Sequence, residues 1–405
     1  MSSQNICYEG GDHLCTSAFK PCKGNTRGNS LNVLHLPLKP YNMTANDHDQ
    51  IREKIAQQLL PTPFACSSLT RLSGGTANFV YRGILSSSGQ SIIIKHTKDH
   101  SASNLTFKID ITRCHFEAAI LRALDGLAIY TTGKIIVKSP RLLDFNRATD
   151  TQVVEDLPNS TDLKNFLLSE VSHDLSESSG RDLGSALGSW LRSFHLWTAE
   201  KQLTKELGTN EEMKNLKFWV NYTLLINTIE DFPDILEDDR DIFEKVRDLA
   251  AAELERQTYD DKFGIIHGDF WTGNVLLPNV PPTHQSETTV FIADWEMSQI
   301  GSRALDLGQM IAELYETKLF KNLDGGLWMI QGFLKGYGHL DDEMVFRTVI
   351  HIGVHLICFG SRVPGWGTEK QIEEVVKVGR DLIVHGWRKD KAWLADSTLS
   401  CLFTV

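Results

Sequence analysis

Two short segments constrain this chain more than any other feature. The first is Ile266-His267-Gly268-Asp269-Phe270-Trp271-Thr272-Gly273-Asn274, and the second is Ile292-Ala293-Asp294-Trp295-Glu296. Each follows a short apolar run that reads as a buried strand, FGII or TVFI, and each ends in oxygen-bearing side chains. Sites in α/β architectures favour such strand ends. A fold that brings the two ends together collects Asp269, Asn274, Asp294 and Glu296. Hard oxygen donors of this kind suit magnesium. Phosphoryl transfer asks little else of a protein: an in-line acceptor hydroxyl, a carboxylate beside it, and divalent ions holding the phosphates. Asp269 is the candidate to orient the hydroxyl and take its proton. Asn274 and Asp294 are candidate metal ligands. Glu296 is either a further ligand, directly or through water, or a salt-bridge partner.

The rest of the chain divides around these segments. Residues 1–45 are polar, rich in Ser, Asn and Gly, and show no sustained periodicity, so a disordered tail is expected there. Cys7, His13, Cys15 and Cys22 within it match no zinc spacing. Ile51, Ile55 and Leu59 fall at helical spacing in the next stretch. LTRLSGG, ANFVYRGIL and SIIIKHT then read as antiparallel strands separated by Gly74-Gly75 and SSSGQ. A helix is expected over 110–124, and strands near 140–146 and 151–156. Beyond Leu157 helical patterns dominate, over 182–199, 212–230, 240–257, 304–321 and 344–360. The stripe Leu183, Leu187, Trp190, Leu191, Phe194 and Trp197 marks the first of these as core-facing. The expected fold is α+β and bilobal. An antiparallel β-sheet lobe (46–156) is joined by a hinge to a mostly helical lobe (157–405).

Composition excludes several classes of partner. A net charge of −11 argues against general nucleic-acid binding. No apolar run approaches the roughly 18 residues of a membrane span, and the first residues show no apolar h-region, so a secretory signal is not expected. Seven cysteines, scattered and without a CxxC pair, fit free thiols and a cytoplasmic setting.

The order His-x-Asp-x-x-x-x-Asn, then Asp at a strand end, resembles the catalytic loop and metal-binding Asp of protein kinases. HGDFWTGN with DWE in place of DFG is similar to the aminoglycoside phosphotransferase, choline kinase and methylthioribose kinase superfamily. Over roughly residues 47–390 the chain looks most like its fungal small-molecule members, of the 4-hydroxytryptamine kinase kind. That resemblance implies the protein-kinase-like fold and an enzyme using ATP and Mg2+ to phosphorylate a hydroxyl of a small molecule, an amine-bearing alcohol or a sugar. It implies a nucleotide loop containing Ser73, Gly74, Gly75 and Asn78, although one adjacent glycine pair departs from the protein-kinase G-x-G-x-x-G pattern. It implies that Lys95 binds the α- and β-phosphates, with Glu117 pairing it, and that Glu155 and Leu157 lie at a hinge whose backbone meets adenine. Asp306 would brace the catalytic loop. Trp271 and Trp295 either wall the acceptor pocket or pack in the core. The alternative is a nucleotide-binding pseudokinase or scaffold, but no expected part is missing. An A-P-E-like signature after Asp294, as in protein kinases, is absent. The acceptor and the oligomeric state are left open.

Overall fold

The structure, a computed structural model, describes residues 45–72, 75–200, 209–256, 259–283, 285–363 and 366–403. The expected tail, its cysteines, Ser73 and Gly74 lie outside the described residues. The first lobe is a five-stranded sheet of order β1-β2-β3-β7-β6, all antiparallel. Its strands are β1 (Cys66–Arg71), β2 (Phe79–Leu85), β3 (Ser91–His96), β6 (Leu142–Asn146) and β7 (Thr151–Glu155). Period-two patterning decides which face is covered. Phe79, Tyr81, Ile92, Ile94 and Val153 form a small core with Ile55 and Leu59 of the helix Ala45–Leu59. The helix Arg113–Leu124 follows β3 and carries Glu117.

The second lobe holds the larger core. Its first long helix, Glu177–Glu200, presents the stripe read from the sequence, with Leu183, Leu187, Trp190, Leu191 and Phe194 all buried. It crosses the helix Gly325–Tyr337 at backbone contact. A Cβ at Gly184 would lie 2.1 Å from the Met329 carbonyl oxygen, and one at Gly332 would lie 2.0 Å from that of Arg181. Only glycine permits so close an approach. The helix Ala304–Lys321 matches its expected bounds, while Asp342–His355 continues through a π-turn to Gly360. That stretch is long and apolar enough to cross a membrane, but 89% of it is buried inside the fold.

A second five-stranded sheet, β4-β5-β11-β10-β8, links the lobes. It comprises β4 (Tyr130–Thr132), β5 (Ile135–Lys138), β8 (Ser160–Asp162), β10 (Val275–Pro278) and β11 (Thr288–Ile292), while β9 (Phe263–Ile266) pairs with β12 (Gln299–Ser302). This corrects the expected boundary. Residues 130–138 fall within 46–156, yet β5 pairs in parallel with β11, register Ile135↔Thr288 to Lys138↔Phe291. Burial drives the exchange, because Ile135 and Val137 join the second lobe's core. The architecture is the bilobal, protein-kinase-like α+β fold, with the two motif segments at its centre.

Candidate active site

Strand pairing brings the motif segments together. Val275 of β10 pairs with Ile292 of β11, and one step further the Ala293 N–H donates to the Asn274 carbonyl at 2.9 Å. Asn274 and Asp294 therefore leave the same end of one antiparallel ladder. His267 adds a second tie, its Nε2–H donating to the Ala293 carbonyl at 3.0 Å while its Nδ1 accepts from the Asp269 N–H at 3.2 Å. Burial pulls the His267 pKa below its ordinary value despite the nearby Asp306 and Asp269, so the ring stays neutral in this tautomer.

The turn at Asp269 is specified from below. Gly268 has φ +81°, and a Cβ there would lie 2.1 Å from the Met297 carbonyl oxygen. The fully buried Asp306 carboxylate accepts the His267 N–H at 2.8 Å, the Gly268 N–H at 3.0 Å and His195 Nε2–H at 3.1 Å. Burial alone would raise the Asp306 pKa, but these bonds hold it below the usual carboxylate range. Asp269 is held at both oxygens. Gln309 Nε2 donates to Oδ1 at 2.8 Å, and Asn274 Nδ2 donates to Oδ2 at 3.1 Å and to the Asp269 carbonyl at 2.9 Å. With Nδ2 committed, the Asn274 Oδ1 is the atom left for a cation.

Lys95 joins the lobes. Its buried ammonium lies 2.6 Å from Glu117 Oε1 and 2.6 Å from Asp294 Oδ1, and the Trp295 N–H donates to the same Glu117 oxygen at 3.1 Å. Burial opposes the charge on Lys95, but Asp294, Glu117 and Glu296 outweigh it and hold the ammonium well above its ordinary pKa. The reciprocal attraction keeps the Asp294 carboxyl below its ordinary value against the effect of burial. Asp294 adopts a left-handed backbone, φ +63°, and its side chain stays 37% exposed. Strained backbone of this kind in a non-glycine residue gathers at functional sites. Oxygens of Glu117, Asp294 and Glu296 all lie within 4.8 Å of one another.

Other expected residues sit differently. Asn78, expected at the nucleotide, is turned inward. Its Nδ2 donates to Glu296 Oε2 at 2.7 Å, and its Oδ1 accepts from Thr97 at 3.0 Å. Glu296, expected at a metal, is buried, and the same Oε2 also accepts from Arg113 Nε at 3.0 Å. Burial and the neighbouring Asp294 push its carboxyl up to about 7. Polar side chains inside the fold need such partners, which pulls both residues away from solvent. At the hinge, whose backbone is expected to meet adenine, the Glu155 N–H is engaged by the Arg141 carbonyl at 2.9 Å in the pairing of β6 and β7. Its side chain pairs with Lys138 at 2.9 Å. Leu157 is half-buried and Gly75 is exposed in the loop before β2. Trp295 is core, meeting Trp190 and Phe194 edge to face and His267 at a tilt.

Trp271 instead packs against Lys164, which with His173, Lys321 and Trp366 lines a cavity of about 470 Å³. The Lys164 ammonium lies 5.3 Å from the Trp271 ring centre, 4.3 Å from that of Trp366 and 3.3 Å from Glu313 Oε2. Thr272 donates to the same Glu313 oxygen at 3.2 Å, and His355 Nε2 meets Oε1 at 3.0 Å. Burial would raise the Glu313 pKa, but His355 and Lys164 bring it down to about 2. Glu316, one turn on, is buried, and its Oε1 has no hydrogen-bond partner among the described residues. Burial and the Glu313 charge push that carboxyl well above its ordinary pKa. Sequence reasoning passed over Glu313, Glu316, Lys164 and His355. The signal was available: Asp306, Gln309, Glu313 and Glu316 recur at helical spacing on one stripe that begins at the catalytic loop.

The sequence matches known proteins over most of its length. Residues 69–340 match the model of the phosphotransferase enzyme family. The chain is 31% identical over 378 residues to the phosphotransferase FrzJ of a Cladobotryum species, covering 89% of this chain and 98% of that protein. It is 24% identical over 324 residues to the 4-hydroxytryptamine kinase of Psilocybe cyanescens, covering 78% and 86% respectively. Among solved structures, a choline/ethanolamine kinase family protein from Mesorhizobium loti is similar, with a TM-score of 0.44 and 17% identity over 86% of this chain and 97% of that one.

Proposed function

Because this chain belongs to the phosphotransferase enzyme family and is a small-molecule kinase, we propose that it transfers the terminal phosphoryl group of ATP to a hydroxyl of an amine-bearing acceptor. The observation that carries the phosphoryl-transfer reading is the arrangement of Lys95. Its ammonium bridges Glu117 and Asp294 at 2.6 Å each, and Asp294 and Asn274 leave one ladder end beside Asp269.

Asp269 accepts the proton of the acceptor hydroxyl as that oxygen bonds to the γ-phosphorus and the bond to the β-phosphate bridging oxygen breaks. Gln309 and Asn274 fix the plane of its carboxylate before the acceptor arrives. Lys95 offers its N–H donors to phosphate oxygens, and Glu117 keeps it in place. The donor set fits a magnesium ion, with the hard Oδ1 of Asn274 and the partly exposed carboxylate of Asp294 carried at one end of the same ladder. Those two residues would hold Mg2+, which supplies neutralisation of phosphate charge when bound. Glu296 braces Asn78 and Arg113 beneath this cleft, and Leu157 and the hinge backbone border the adenine.

The proposed amine rests on the contacts around Lys164. One carboxylate and two indole rings already hold the ammonium of Lys164 there, and a cation on the acceptor can use the same chemistry. Glu313 lies one helical turn from Gln309, so a bound ammonium sits a short span from the reacting hydroxyl. The names of the relatives agree, since 4-hydroxytryptamine carries both groups.

An ADP-release screen over hydroxylated amines, sugars and nucleosides tests the reading, with Asp269→Ala as the blank. The variant should lose about 10²- to 10⁴-fold in kcat and keep its affinity for MgATP. Wild-type turnover by Asp269→Ala on an acceptor found in the screen refutes the assignment.

A further inference from the structure

We propose that Lys217 is a positioning residue for phosphoryl transfer, acting through the amide of Gln309 on the carboxylate of Asp269. The inference rests on the reading of Asp269 as the proton acceptor. Lys217 lies on the helix Glu211–Phe218 and is 5% exposed. Its Nζ donates to Gln309 Oε1 at 2.5 Å, and the other end of that amide, Nε2, donates to Asp269 Oδ1 at 2.8 Å. No carboxylate of the described residues comes within ion-pair distance of it. Buried Arg347 pairs directly with Glu253 at 2.6 Å and buried Arg303 spends its donors on the Asp261 and His195 backbone carbonyls, whereas Lys217 meets a side-chain amide.

The amide explains the exception. A lysine can only donate, a carboxylate can only accept, and an amide offers one end of each kind. Gln309 can satisfy both neighbours in one orientation alone, with Oε1 on Lys217 and Nε2 on Asp269. The ammonium polarises the amide and strengthens the bond at its far end. Burial draws the Lys217 pKa down, while Asp269 and Asp306 draw it back up, so the charge is answered at one remove. Without Lys217 the Gln309 Oε1 is a buried acceptor lacking its donor, and the amide turns to find another. The Asp269 carboxylate then keeps only its bond to Asn274 and rotates about it.

The test follows ADP release from MgATP with water as the acceptor, in Lys217→Met, Gln309→Leu and the double variant. Lys217→Met should lose roughly tenfold in kcat, a misplacement effect, and keep its KM for MgATP within about twofold. Gln309→Leu should match it, and the double variant should fall no further than either, since both changes break one chain of contacts. Lys217→Gln, which retains one donor, should recover part of the rate and serves if Lys217→Met folds poorly. Multiplicative losses in the double variant would mark a merely structural role and overturn the proposal. So would a wild-type rate in Lys217→Met while Asp269→Ala is inactive. If Asp269→Ala is itself fully active, the reading of Asp269 fails and carries the proposal with it. Where hydrolysis in water is too slow to measure, a crystal structure of Lys217→Met decides: a Gln309 amide turned from Asp269 supports the proposal, and an unchanged contact refutes it.

Discussion

Replacing Asp306 by Asn removes a charge without changing shape, at a residue that touches no substrate. The carboxylate takes three donors, the N–H groups of His267 and Gly268 and the ring of His195. An amide has one acceptor oxygen. Its better orientation keeps the oxygen where Oδ2 stands, facing His267 and His195, and turns the NH2 group against the Gly268 N–H. A buried donor left unsatisfied costs about 1–3 kcal/mol, and the two surviving bonds each weaken by about 1 kcal/mol on losing the charge. Easier burial of a neutral group offsets part of this, leaving a net loss of about 2–4 kcal/mol. The bonds lost or weakened include both N–H groups immediately before Asp269, so the loop that carries the carboxylate slackens. Turnover should fall by about 10- to 100-fold, as expected for a displacement near 1 Å. Urea denaturation measures the first effect and ADP release the second. An Asp306→Asn variant with the wild-type urea midpoint and turnover within about twofold of wild type would refute this account of the loop.

Three further outcomes are expected. His96 is buried against Thr151 at 2.9 Å, and burial aided by Lys98 and Lys54 brings its pKa down to about 4. Its folded pKa lies below the unfolded value, so the unfolded chain binds the proton first and stability falls as pH drops from near 6.5 towards 4. The loss should reach about 2 kcal/mol by pH 5, and a His96→Gln variant should show a flatter decline between pH 7 and pH 5 in thermal melts. Glu313→Gln should raise KM for amine acceptors by about 10- to 100-fold while leaving that for MgATP alone, as loss of a buried charge partner does; equal KM values would remove the ammonium from that cavity. Asp294→Ala should abolish calorimetric binding of MgATP, and retained binding at wild-type affinity would show that the metal is held elsewhere.

Residues whose roles depend on neighbours in sequence or on adjoining strand ends were legible. Asp269, Asn274 and Asp294 are separated by one hairpin, so the ladder Val275↔Ile292 that follows from two apolar runs brings them together. The family resemblance implied the pairing of Lys95 with Glu117, and the structure gives 2.6 Å. Asn78 was not legible, because its partner Glu296 is 218 positions away and burial, which no pattern near Asn78 announces, turns it inward. The hairpin of β4 and β5 was missed because its strands are short and one is held by a parallel pairing across the lobes. The helix Gly325–Tyr337 was hidden by four glycines, poor helix formers that close packing requires. The helix Glu369–Trp387 was passed over, although Thr368 and Gln371 form a capping box at its start. Lys217 was passed over, because nothing in its local pattern sets it against Gln309, 92 positions away.

The central claim is that Asn274 and Asp294 hold the cation of the nucleotide beside Asp269. Crystals grown with Mn2+ and a non-hydrolysable ATP analogue test it through the anomalous signal of the metal. The account predicts a peak coordinated by Asn274 Oδ1 and an Asp294 carboxylate oxygen, with the γ-phosphate facing Asp269. Nucleotide and metal bound in the cleft with neither side chain in the coordination sphere would contradict it.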